Sequence, residues 1–73
     1  MTKKTLRDAR ESSNLTIQKL SNLIDVSPSS IRNWEKGRTT PNLDLYKLTK
    51  LKDALSISSY DKLIKILYNS KQN

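Results

Sequence analysis

The chain has 73 residues, one domain at most, and so short a chain buries a modest share of its surface and has a modest stability margin. It contains no cysteine and no histidine, which excludes disulfide staples, thiol nucleophiles and the usual zinc ligands. Fourteen Lys and Arg against seven Asp and Glu give a net charge of +7, which favours polyanionic partners through long-range field and counterion release.

The opening Met1-Thr2-Lys3-Lys4 leads into charged sequence, and no apolar run approaches a signal peptide or a membrane span. The expectation is a soluble, cytoplasmic protein with no membrane partner. Without His, Cys or clustered carboxylates for acid, base or nucleophile roles, no enzyme is expected, and with it no cofactor, no metal and no small-molecule substrate.

In chain order, a first helix is predicted over about 5–13, with Thr5 as cap, Leu6 and Ala9 facing inward, and Arg7 and Glu11 spaced as a surface pair. Arg10 lies on the flank of the inward side, so it either snorkels to water or meets a buried carboxylate. Asn14 suits a helix end. Thr16 then caps a second helix over 17–24, in which Ile17, Leu20, Leu23 and Ile24 form one apolar stripe while Gln18 and Asn22 point away. Asp25, able to adopt the left-handed conformation, makes the short connection into a third helix.

That third helix, about 28–36, has a start and a stop written into it. Ser27 is an N-cap, Pro28 suits the first helical position where its missing donor is not needed, and Gly37 suits the left-handed residue past the end. At about 100° per residue, Ile31 and Trp34 share one side and Ser29, Arg32, Asn33 and Lys36 share the other. The polar side holds no acid. It is either a solvated surface or a set of donors for phosphates and base edges.

A fourth helix is expected over about 43–55, capped by Asn42 or the turn before it, with Leu48, Leu51 and Leu55 inward and Lys47 and Lys50 outward. The Ser58-Ser59 pair can cap a fifth over about 59–69, followed by a tail, Ser70-Lys71-Gln72-Asn73, expected to fray. On the fifth helix Tyr60, Leu63, Ile64, Ile66, Leu67 and Tyr68 spread over an arc of roughly 200°. Either the small domain uses that whole arc for packing, or its edges contact another protein. The arc places Leu63 and Leu67 toward the core and leaves Tyr60, Ile64, Ile66 and Tyr68 as the candidate protein interface.

Two short helices joined so tightly form a helix-turn-helix at about 16–36. From Leu15-Thr16 through Leu20, Ile24, Val26-Ser27 and Ile31 to Trp34-Glu35 and Gly37-Arg38, followed by Pro41 and the Leu51, Leu55, Ile57 pattern, the chain resembles the Cro/C1-type, lambda-repressor-like DNA-binding domains. The resemblance covers about 5–58 and implies an all-α, compact five-helix fold, within a single domain spanning 1–73.

It further implies a DNA-binding transcription regulator whose third helix enters the major groove of double-stranded DNA. Ser29, Arg32 and Asn33 then stand at the base-reading positions. Arg38 and Thr39 resemble the phosphate clamp, and Thr16, Gln18 and Lys36 are further phosphate candidates. Arg10 and Glu35 resemble an internal salt bridge. The likeness is greatest to small phage Cro-like repressors, which act as homodimers on DNA. A rival reading keeps the fold but makes it a modulator, or antirepressor, that complexes another phage repressor. Ile17 stands where many members have a phosphate-touching Gln, and Pro28 where a polar residue often reaches a base; both departures favour the rival. Lys52 replaces a small residue, and the interval from Pro41 to Leu48 is about two residues longer than the family pattern.

Overall fold

The computed structural model describes residues 4–71, and side chains through Asn69. It contains five helices and, among the described residues, no strand: α1 (Leu6–Ser12), α2 (Ile17–Ile24), α3 (Pro28–Glu35), α4 (Leu45–Ala54) and α5 (Tyr60–Lys71).

Local chemistry sets most helix starts. Thr5 Oγ1 accepts the Asp8 amide while Asp8 returns a carboxylate oxygen to the Thr5 amide, a reciprocal cap on α1. Thr16 accepts from the Lys19 amide and Ser27 from the Ser30 amide. The α4 start differs from expectation. Asp44, not Asn42, accepts the Lys47 amide at 2.8 Å, and the helix begins at Leu45. Asp44 sits immediately before the helix with extended backbone, where a carboxylate meets both the free amides and the positive end of the helix.

The first four helices end in one way, each on a left-handed residue: Asn14, Asp25, Gly37 and Ser56, with φ of 57°, 57°, 72° and 56°. After each, an amide reaches back five residues, as Arg38 N donates to Asn33 O at 2.9 Å and Ile57 N to Lys52 O at 3.0 Å. These are Schellman closures, and glycine supplies only one of the four. The α5 backbone continues through Ser70 and Lys71, where fraying was expected; Gln72 and Asn73 lie outside the described residues.

The core takes Leu6 and Ala9 from α1, Leu20 and Ile24 from α2, Ile31 and Trp34 from α3, Leu51 from α4 with Leu55 just past its end, and Leu63 and Ile66 from α5. The second helix packs on α3 and α4, while α5 crosses α1 and α3. Two expectations fail here. Leu23 is 49% exposed, because the side of α2 facing its neighbours runs through Leu20, Ser21 and Ile24, and Leu23 lies about 100° from Ile24. Ile66, expected on an exposed edge of α5, is only 7% exposed. The helix turns the Leu63–Ile66 side of its apolar arc onto α1 and α3, so the buried line is off-centre.

Candidate nucleic-acid interface

The third helix, α3, is held by a buried ion pair. Arg10 Nε donates to Glu35 Oε2 at 2.7 Å and Nη2 to Glu35 Oε1 at 3.3 Å, while Nη1 donates to the Leu15 carbonyl at 2.8 Å. One guanidinium thereby links α1, the turn after it and the end of α3, at side-chain exposures of 10% for Arg10 and 8% for Glu35. Its hydrogen bonding to the Glu35 carboxylate raises the Arg10 pKa above its ordinary value, against the opposing effect of burial. The geometry uses the planar fork of Arg and satisfies the carbonyl as well.

With Glu35 turned inward, the outward side of α3 presents Ser29, Arg32 and Lys36 fully and Asn33 partly, with no acid among them. The end of the helix is tied down: Gly37 N donates to Trp34 O at 3.1 Å, and the Arg38 amide to Asn33 O places the exposed Arg38 and Thr39 directly beside the α3 terminus. Trp34, at 7% exposure, is core and not a surface stacking platform.

The start of α2 carries exposed Thr16 and Gln18. Gln18 Nε2 donates to Asn22 Oδ1 at 3.2 Å, and Thr16 Oγ1 is engaged by the Lys19 amide. Ile17 and Pro28 are half-buried and contribute no polar group. The expected contact residues from α2, α3 and the following loop thus lie along one helix-turn-helix unit. Tyr60, Ile64 and Tyr68 are exposed on α5. Tyr60 is already engaged with α4, its hydroxyl 2.6 Å from Thr49 Oγ1 and its ring under the Lys52 ammonium.

One cation escaped the sequence reading. Arg7 pairs with Glu11 at 3.3 Å as its spacing suggests, yet it also lines a concavity of about 280 Å³ with Ile17, Arg32 and Lys36, beside the Arg10–Glu35 pair. The available signal was its position one helical turn before Arg10, which puts it on the flank facing α3 once Arg10 is committed to Glu35. Three exposed cations therefore gather where α1, α2 and α3 meet.

Among the described residues no group of acids suits a metal ion, and no helix is long and apolar enough to cross a membrane. Five short helices, two of them joined through Asp25-Val26-Ser27 with the second offering an acid-free polar face, define a DNA-binding helix-turn-helix protein. Comparison agrees: the Helix-turn-helix family matches residues 6–58. The chain belongs to that family, in its Cro/C1-type branch. No curated protein and no solved structure matches the chain.

Proposed function

We propose that this chain is a sequence-specific transcription regulator of the phage Cro/C1 type, acting in the host cytoplasm without enzymatic activity. The carrying observation is the α3 surface, where Ser29, Arg32, Asn33 and Lys36 project with no acid among them and the sole α3 carboxylate is consumed by Arg10. Arg bidentate to guanine and Asn bidentate to adenine are the pairings that such a surface offers in a major groove. In this reading Ser29, Arg32 and Asn33 read bases, while Thr16, Gln18, Lys36, Arg38 and Thr39 hold phosphates on either side and set the docking angle. A single helix-turn-helix makes few base contacts, so two copies on two half-sites supply useful specificity. The exposed α5 edge, Ile64 and Tyr68 with Tyr60 beside them, is the proposed protein contact between copies.

A second reading, a modulator or antirepressor that complexes another phage repressor, is favoured by Ile17 and Pro28, which bring no polar group to positions flanking the groove-facing side chains. One experiment separates the two. The purified protein is titrated by fluorescence anisotropy against duplexes selected from a random pool and against random duplex, over a series of salt concentrations. The expected outcome is a steep fall of affinity with salt, and a salt slope shallower by about one unit in Arg38→Ala on every duplex. Arg32→Ala and Asn33→Ala should each cost about 1–3 kcal/mol at one base position of the selected site. Absence of binding even at about 50 mM salt refutes the DNA reading and leaves the partner reading standing.

A further inference from the structure

The α4–α5 turn, Lys4 before α1 and one side of α5 line a concavity of about 380 Å³. Its rim carries Lys4, Lys62 and Lys65, all exposed, and no carboxylate lines it. Among the described residues none of the three ammonium groups forms an ion pair, although Asp61 stands four residues before Lys65 at a spacing that often pairs. The arrangement is held in place. Asn69 Nδ2 donates to the Lys4 carbonyl at 3.0 Å, which fixes the approach to α1 against the third turn of α5, and Lys62 and Lys65 are one turn apart on that helix. Ser56 and Ser58 add hydroxyls to the rim.

Three like charges around one hollow repel one another, and a bound anion relieves that repulsion. The lining decides which anion. Leu55, Ile57 and Ile66 give it an apolar floor, while every charged group that lines it is a cation. The ammonium groups and hydroxyls supply charge and hydrogen bonds, which favour a compact, multiply charged ligand over a neutral one. Lys ammoniums on flexible stems, with hydroxyls between them, suit phosphate oxygens, and the hollow falls in the usual range of roughly 300–1,000 Å³ for small-ligand sites. A duplex is convex and spreads its phosphates along a rod, a poor match to three lysines set around one hollow. The site is also apart from the DNA-facing side. It shares no residue with the Arg7, Arg32 and Lys36 hollow, and Lys4 precedes α1 while Arg10 lies toward its far end.

We infer that this hollow is a binding site for a compact polyphosphate, such as the phosphate chain of a nucleoside di- or triphosphate. The inference does not rest on the DNA-binding reading. The test is a titration of the full ¹⁵N-labelled chain with sodium tripolyphosphate at constant ionic strength, read by amide chemical shifts, with sulfate as control. The expected result is saturable shifts at residues 56–58, 62, 65 and 69, stronger than those with sulfate, and at least tenfold weaker binding in Lys62→Ala/Lys65→Ala with its circular dichroism unchanged. The wild-type shift map decides even if the variant folds poorly. Shifts centred on 32–38, unsaturable shifts spread over every lysine, or unchanged affinity in a folded variant overturn the inference. So does a short DNA duplex that shifts the same amides at lower concentration than tripolyphosphate.

Discussion

Replacing Glu35 with alanine is expected to destabilise the domain by about 3–5 kcal/mol, because it strands a buried charge. Arg10 is 8% exposed and directs Nε and Nη2 at Glu35, with only the Leu15 carbonyl left for Nη1 once the carboxylate is gone. For a chain of 73 residues the whole stability is roughly 4–11 kcal/mol, so the loss removes a large part of it. At about 4–8 °C per kcal/mol the fall in Tm should exceed roughly 12 °C. The double variant Arg10→Met/Glu35→Leu removes both charges together. It should recover most of the loss, less about 1–3 kcal/mol for a Leu15 carbonyl left without its donor.

Urea unfolding read by far-ultraviolet circular dichroism is the suitable assay, since Trp34 adjoins the mutated position and its fluorescence would respond locally. The pH dependence has a definite sign. Glu35 raises the Arg10 pKa, so this contribution is complete below the unfolded guanidinium value and is lost only as pH rises through the higher folded one. The gap contributed by Arg10 should therefore stay constant across the neutral range and up to about pH 10. A Glu35→Ala cost under about 1 kcal/mol would refute the reasoning, for that is the behaviour of a solvent-screened surface pair.

Trp34→Ala should cost about 3–5 kcal/mol in the same urea assay, as expected for a large core side chain; a cost under about 1 kcal/mol would mean that the indole is not packed. Ser56→Gly should stabilise by about 0.5–1 kcal/mol, because Ser56 holds φ at 56° where a Cβ is strained, and a lower unfolding midpoint would show that its side chain contributes more than the strain costs. Ile64→Lys/Tyr68→Lys, both residues being 58% exposed, should keep the circular dichroism spectrum and weaken association in sedimentation equilibrium. Unchanged association, or an unfolded variant, removes α5 as the protein contact.

The limits of α1, α2 and α3 are legible in the residues themselves because they depend on neighbours within one turn. Thr5 with Asp8, Thr16, Ser27 with Pro28, and Gly37 act through hydrogen bonds and backbone preferences that need no distant partner. The α3 polar face was equally visible, since a period of 3.6 places Ser29, Arg32, Asn33 and Lys36 together before any packing is known. Before α4 the expected cap, Asn42 or the turn before it, gives way to Asp44, and packing of the half-buried Leu43 against the core accompanies the later start. Periodicity defines an arc but not which part of it meets a neighbour. Only the crossing of α5 over α1 and α3 puts Ile66 inside and leaves Ile64 and Tyr68 outside, and only the stacking of α3 and α4 on α2 leaves Leu23 in water. The choice between a snorkelling Arg10 and a paired one was likewise tertiary. Its partner lies 25 residues away, and the same approach of α1 to α3 brings Arg7 into the cationic hollow beside Arg32, a proximity that arises only when chain segments distant in sequence are packed together.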